Sequence, residues 1–247
     1  MSEPSPRAFV TTLTVLSGIE PEVVAAIAGR SRIAAVGPGE LIFAQDDPCD
    51  RLYFLVEGRV TCYCATPDGR EQVVKLCQRR GEALLLAGAF TTRRHGVSGR
   101  AMSMAKLCVV DVATVIACAR RSPTLSLKLV EAISREEADL IGLVTDLGVR
   151  DATTRLARVL YGLATGDGFR TDHGIELDRR RVREEELATI IGTVRVHVSR
   201  CLQAIAKTGA IRLTRHCIVV SDLEGLRRVA NADEGATNVT DRLEAAG

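Results

Sequence analysis

Apolar residues change their rhythm several times along this chain, and each change predicts a different kind of element. Residues 7–30 carry two short runs with helical spacing, AFVTTLTVLSGI and PEVVAAIAGRS. The second opens with Pro21 in its first turn. After Ser31 the period shortens. From Arg32 to Asp111, short apolar runs are separated by Gly, Pro and Asp: IAAV, GELIFAQ, RLYFLVEG, RVTCYCA, REQVVKLC and KLCVVD. Leu52, Phe54 and Val56 alternate with Arg51, Tyr53 and Leu55, and Val60, Cys62 and Cys64 alternate likewise. Pro67-Asp68-Gly69 reads as a turn between two such runs. Strands this short and closely spaced predict an antiparallel sandwich or barrel, the basis of an N-terminal domain over residues 8–121.

Val112–Arg121 reads as a short helix, and Ser122-Pro123 restarts the chain as a long one. Its apolar residues fall at Leu129, Ile133, Leu140, Leu143 and Leu147, flanked by Val130, Ile141 and Val144. The spacing is close to a heptad seam, interrupted by Arg135-Glu136-Glu137. A long amphipathic helix between two domains needs a partner, and a parallel copy from a second subunit is the natural one. Residues 122–148 are therefore read as a dimerisation helix, with packing on its own β-domain taking part of the stripe. Val149-Arg150-Asp151 reads as a break. Thr153–Ala164 is a further amphipathic helix, with Leu156, Val159, Leu160 and Leu163 inward, ended by the GDG at 166–168. Residues 229–247, rich in Ala, Asn, Asp and Glu, read as a flexible tail.

The densest signal is LATIIGTVRVHVSRCLQAIAKTGAIRL, residues 187–213. It reads as a helix, a tight turn, a second helix and the start of a β-wing. Ala188, Gly192 and Val198 stand where a helix-turn-helix needs them. The first must be small because the second helix crosses over it, and Gly192 spares a left-handed turn residue its Cβ penalty. Val198 faces inward with Leu187, Ile191 and Leu202. Polar Thr193, Arg195, His197, Ser199 and Arg200 are left on or near the outer face, where such a motif meets the DNA major groove. An ordinary helical hairpin with a charged face is the alternative.

Charge strengthens the DNA reading. The whole chain carries a net charge of only +2, yet residues 179–216 hold nine Lys/Arg against three Asp/Glu. A basic surface beside an acidic body fits a phosphate-contacting module. With no Trp and few aromatics, stacking on single strands is not expected. No apolar run reaches the roughly 18 residues of a membrane helix, and MSEPSPRAF lacks the order of a signal peptide. The expectation is a cytoplasmic protein, not membrane-bound, whose eight cysteines are mostly reduced thiols. No Ser-His-Asp set, paired-carboxylate site or Walker loop is present, so no enzyme is expected.

The order of β-domain, long helix and winged helix-turn-helix resembles the family of the cyclic-AMP receptor protein and the fumarate–nitrate reductase regulator, bacterial transcription factors. The resemblance covers roughly residues 8–228. It rests on Gly39-Glu40, Asp50 before RLYFLVEG, Gly58, Gly69 and Gly81-Glu82 in the β-domain. In the C-terminal half it rests on Glu185-Glu186-Leu187-Ala188, Gly192, Val198-Ser199-Arg200, Leu202 and Gly209-Ala210-Ile211. It implies an α+β chain. An N-terminal double-stranded β-roll of the cyclic-nucleotide-binding jelly-roll kind comes first, then a long dimerisation helix. A winged helix-turn-helix domain follows at 149–228, with the motif at about 184–203. It also implies a homodimer on a pseudo-palindromic site in double-stranded DNA, with RNA polymerase as the expected further partner.

The resemblance bears on effectors too. In cyclic-nucleotide members a Gly-Glu opens a phosphate-binding segment and an Arg-Ser pair follows, the Glu taking the ribose hydroxyl and the Arg the cyclic phosphate. Gly81-Glu82 is present here, but counting back from Arg100-Ala101 puts the pair on His95-Gly96, with Arg93 and Arg94 just before it. The adenine-contacting Thr-Ser pair falls on Leu140-Ile141, which offer no hydrogen bond. Glu82, Arg93, Arg94 and His95 are thus the candidate effector residues, while ordinary cAMP binding is disfavoured and the effector is left open. Glu82 as a turn-capping carboxylate and His95 as an exposed loop residue are the plainer readings. The iron–sulfur members carry an N-terminal cysteine cluster. Here Cys49 comes first and the thiols lack a ferredoxin-like spacing, so no iron–sulfur cluster is expected. Cys62 and Cys64 share one face of a strand, without a second pair to complete a zinc site. A thiol-based redox or nitrosative sensor is the alternative to a ligand sensor, and an architectural binder with an empty sensor is a third view.

For DNA readout, the family presents Arg, Glu and Arg from the second helix. Matched residue by residue, these fall on Arg195, Val196 and Arg200, with Ser199 as in the fumarate–nitrate branch. Val196 accepts no hydrogen bond and is left a thymine methyl at most. His197 stands beside it. Lys207, Arg212, Arg215 and His216 are expected on phosphates, which fix register rather than sequence.

Overall fold

The computed structural model describes residues 5–166, 168–180 and 182–232, in an α+β arrangement. Helix α1 (Pro6–Val10) is capped by Ser5 and stops early, followed by a 3-10 turn at Thr14–Leu16. The hydroxyls of Thr11 and Thr12 donate to the carbonyls of Ala8 and Phe9. That competes with continuing the helix, so the first apolar run makes two short pieces. Helix α2 (Pro21–Ala28) follows, then strands β1 (Ser31–Val36), β2 (Leu41–Phe43), β3 (Arg51–Glu57), β4 (Val60–Ala65) and β5 (Glu71–Cys77). A single-turn helix α3 (Ala87–Phe90) precedes β6 (Ser98–Ala101) and β7 (Ala105–Asp111). Asp111 caps α4 (Val112–Ala119) by accepting from the Thr114 N–H, and the buried Ser122 hydroxyl caps α5 (Pro123–Val149) by accepting from the Leu125 N–H.

The strands form two antiparallel sheets, β1-β7-β3 and β2-β6-β4-β5. Leu55, Leu107 and Val109 of the first pack with Phe43, Val60, Cys62 and Cys77 of the second. Leu52, Phe54, Val56, Cys108 and Val110 pack on Phe9, Ile27, Val115, Leu125 and Leu129 from the helices. The β1-β7-β3 sheet is therefore buried on both faces. That is why Leu55 is as buried as its strand neighbour Phe54, and why the alternation in β3 is incomplete.

The chain divides into two compact units, with the division inside α5 between Gly142 and Leu143. In the second, Asp151 caps α6 (Ala152–Gly166) through the Thr154 N–H. Then come β8 (Phe169–Thr171), β9 (Gly174–Asp178), α7 (Glu184–Ile191), α8 (Arg195–Lys207), β10 (Ile211–Leu213), β11 (Cys217–Val220) and α9 (Leu223–Ala230). The strands form one sheet in the order β10-β11-β9-β8. Among the described residues no helix is long and apolar enough to cross a membrane.

Two sequence expectations change. Val229 and Ala230 belong to α9, capped by Asp222, so the tail begins later than residue 229; residues 233–247 lie outside the described residues. The stripe read as the α5 seam is, in its first part, buried within the chain's own unit. Leu129 is only 6% exposed, inside the core of its own unit, and Ile133 packs against that core. Leu143 and Leu147 are half-buried, and Leu140 is only a little more open. Ahead of the last turn, the most exposed apolar side chains are Leu127, Val130, Ile141 and Val144. With Ser134 and Glu137 these fall at alternating intervals of three and four, a heptad register on a different face. The reason is competition: the core of the N-terminal unit takes Leu125, Leu129 and Ile133 of α5 and leaves Leu127 and Val130 exposed.

Candidate nucleic-acid interface and sensor cavity

Helix α7 starts under an Arg183–Glu186 capping box and ends at Gly192, whose φ of 65° is the left-handed turn. The Thr193 N–H then closes on the Ala188 carbonyl at 2.9 Å. Leu187, Ala188, Ile191, Val198, Leu202 and Ile205 are buried between α7 and α8 and their neighbours. Arg155 of α6 braces the turn by donating to the Ile191 carbonyl at 2.8 Å. This fixes the start of α8 and which of its side chains face out.

Val196 is 64% exposed, with Val194 two residues before it equally open. Arg195, His197 and Arg200 are exposed, and Thr193 and Ser199 half-buried. The Thr193 hydroxyl lies 3.0 Å from His197 Nδ1. Arg195 is held back on α7, 3.2 Å from Glu185 and 3.6 Å from Glu184. Arg200 has no ion-pair partner among the described residues, so its guanidinium is the available fork on this face. Lys207 is exposed at the far end of α8. Between β10 and β11 the Thr214 hydroxyl accepts from the His216 and Cys217 N–H groups and tightens a turn that presents Arg215 and His216. Arg212 is exposed on β10, 3.5 Å from the His173 carbonyl.

The N-terminal unit contains a cavity of about 220 Å³ whose lining includes Phe54, Lys75, Glu82, Leu86, Arg135 and Glu136. Glu136, on α5, is 8% exposed. It accepts from the Leu86 backbone N–H at 2.9 Å and pairs with Lys75 Nζ at 3.4 Å. Burial pushes Glu136 above the ordinary carboxylate range, with the Leu86 N–H and Lys75 pulling it back. Burial works against the charge of Lys75, but Cys77, Glu136 and Cys62 together hold it above its usual value.

Two family models match the chain: a cyclic nucleotide-binding domain over residues 34–122 and a Crp-like helix-turn-helix domain over residues 154–229. The chain belongs to the CRP/FNR family. It is 25% identical over 225 residues to the CRP-like cAMP-activated global transcriptional regulator of Mycobacterium tuberculosis, covering 87% of this chain and 96% of that one. It is 28% identical over 183 residues to the global nitrogen regulator of Synechocystis sp., covering 72% and 80%. In fold it is similar to a transcriptional regulator of the CRP/FNR family from Eubacterium rectale, with a TM-score of 0.71 at 17% identity, covering 89% of this chain and 98% of that one.

The residues at the family's cyclic-nucleotide positions do not converge on one site here. Glu82 accepts from the Gln78 and Arg79 N–H groups, both at 2.7 Å, and is committed to its own turn. Arg93 pairs with Asp50 at 3.5 Å and Arg94 donates to the Asp46 carbonyl at 2.5 Å, away from the cavity lining. His95 is not the exposed loop residue expected. It is 7% exposed and stacked on Phe43 with ring centroids 3.9 Å apart, and burial holds its pKa down.

Cys62 is buried with its thiol on the Leu84 carbonyl at 3.1 Å, and Cys64 is half-buried. The neighbouring Cys62 and burial hold the Cys77 thiol well above its usual value, and its Sγ donates to the Ala83 carbonyl at 3.6 Å. Burial likewise raises Cys64, and pushes Cys108 up to about 11. Raised in this way, Cys64, Cys77 and Cys108 keep their protons at neutral pH, the opposite of a reactive thiolate. Among the described residues no three His, Cys, Asp or Glu side chains come together to hold a metal ion. Sequence reasoning misses Glu136 and Lys75 as a pair. Their only signal is Arg135-Glu136-Glu137 interrupting the apolar stripe of α5.

Proposed function

We propose that this CRP/FNR-type regulator binds a pseudo-palindromic operator as a homodimer, laying α8 of each subunit in the major groove. The observation that carries this is the outer face of α8: one available guanidinium, at Arg200, beside two open valines at the helix start. Arg200 is the base-reading residue, its fork suited to guanine O6 and N7, and Val194 and Val196 suit thymine methyls. Lys207, Arg212 and Arg215 hold phosphates. Arg195 joins only on leaving Glu184 and Glu185. Leu127, Val130, Ile141 and Val144 form the dimer seam. The protein works in the cytoplasm without catalysis, with RNA polymerase as its further partner. The burial of Cys62 and Cys77 favours this reading over a thiol-based sensor.

The test compares Arg200→Ala with Lys207→Ala on a panel of single-base operator variants at two salt concentrations. Arg200→Ala should erase preference at one base pair per half-site, worth roughly 1–3 kcal/mol of discrimination. Lys207→Ala should weaken every sequence alike and reduce the log–log salt slope by about two, about one for each subunit of the dimer. A uniform loss with Arg200→Ala and an intact preference profile would make Arg200 a phosphate clamp instead.

A further inference from the structure

A buried carboxylate is costly unless it is paired and hydrogen-bonded, so its partners show what the site is built to hold. In the cavity of the N-terminal unit, those partners are the donors an entering anion would use: the Leu86 backbone N–H and the Lys75 ammonium. The N–H is presented by a strained backbone, with Leu85 at a φ of +98°, where a side chain is disfavoured. Both donors come from the β-roll, while the carboxylate comes from α5, so the contact ties that helix to the roll. The rest of the lining discourages an added anion. Glu82, Glu131, Glu136 and Asp139 face Lys75, Lys128 and Arg135. Lys128 and Arg135 are already drawn to Glu131, at 3.1 and 3.6 Å.

We infer that Glu136 is a built-in ligand: its carboxylate fills the anion site of the sensor cavity, so the wild-type protein takes no cyclic phosphate there. The site is an oxyanion site, and a small carboxylate fits it once the Glu136 side chain is cut away. This goes beyond the DNA-binding reading and does not depend on it, because its tests are read on folding and on ligand binding, not on an operator.

The experiment follows the unfolding of full-length wild type, Glu136→Ala and Glu136→Gln in sodium acetate against matched sodium chloride. Acetate should raise the midpoint of Glu136→Ala saturably, by about 3–5 °C at roughly ten times its dissociation constant. Wild type keeps its own carboxylate and Glu136→Gln keeps the space filled, so neither should respond beyond chloride. If Glu136→Ala fails to fold in chloride, the same titration reads recovery of its helical circular dichroism. Acetate that acts equally on all three proteins, or on none, overturns the proposal. So does failure to recover the fold. In a second measurement, calorimetry of wild type with cAMP should show no binding up to about 1 mM, and micromolar binding would overturn the proposal independently.

Discussion

At the scale of single residues, burial rather than residue type decides what the polar groups do. His95 is a case in which the sequence suggests a loop contact and the fold makes a core ring. Its face lies on Phe43, and desolvation disfavours the imidazolium, with the nearby charge of Asp47 opposing in part. The folded-state pKa is therefore depressed below the ordinary 6.5. The stability this contributes is present above 6.5 and is lost as pH falls through the folded value, because the unfolded chain binds the proton first. His95→Phe keeps an aromatic ring on Phe43 and removes the titration. The wild-type curve should lose stability relative to His95→Phe below about pH 6.5, with a constant difference between about pH 7 and 8. Denaturant unfolding across this range measures it, and a pH-independent difference would place the imidazole in water.

At the scale of elements, α5 divides its apolar residues between two jobs. Leu125 and Leu129 pack into the core of the N-terminal unit, whereas Leu127, Val130 and Val144 remain exposed, Val144 to 70%. Substitutions on the two faces should therefore fail differently. Val144→Glu should leave unfolding of the N-terminal unit unchanged and shift the protein from dimer to monomer in sedimentation at micromolar concentration. Leu129→Ala should instead cost about 2–5 kcal/mol of folding stability through the cavity it leaves. An unchanged dimer with Val144→Glu would contradict the seam. The elements most legible in the sequence are those bounded by clear turns, such as β3 to β5 and the α7–α8 pair. Gly192 is the strongest case, since its type and position together specify the left-handed turn observed. The register of α5 is not legible, because two apolar stripes overlap and periodicity does not say which partner buries which. Strands β8 and β9 are too short to show a period, and α3 lies within an apolar run that reads equally as strand. Glu136 is hidden because a charged triplet in a helix reads as a solvated face. Only the fold shows that its middle member turns inward to Leu86 and Lys75.

At the scale of the whole molecule, charge and architecture separate the two tasks. The cavity and the apolar β-roll lie in the first compact unit. The second carries the basic stretch 179–216, with nine Lys/Arg against three Asp/Glu, and with it the helix-turn-helix. A homodimer of such chains presents two α8 helices, and two-fold symmetry requires the DNA to be symmetric as well. The most direct test needs no operator in advance: selection of duplexes bound by the full-length protein from a random DNA pool, followed by sequencing. A homodimer that reads DNA through Arg200 should enrich an inverted repeat whose half-site centres lie about 10–11 base pairs apart, with a guanine in each half-site whose enrichment vanishes with Arg200→Ala. Enrichment of a single unrepeated element, or of no sequence above the starting pool, would contradict this reading.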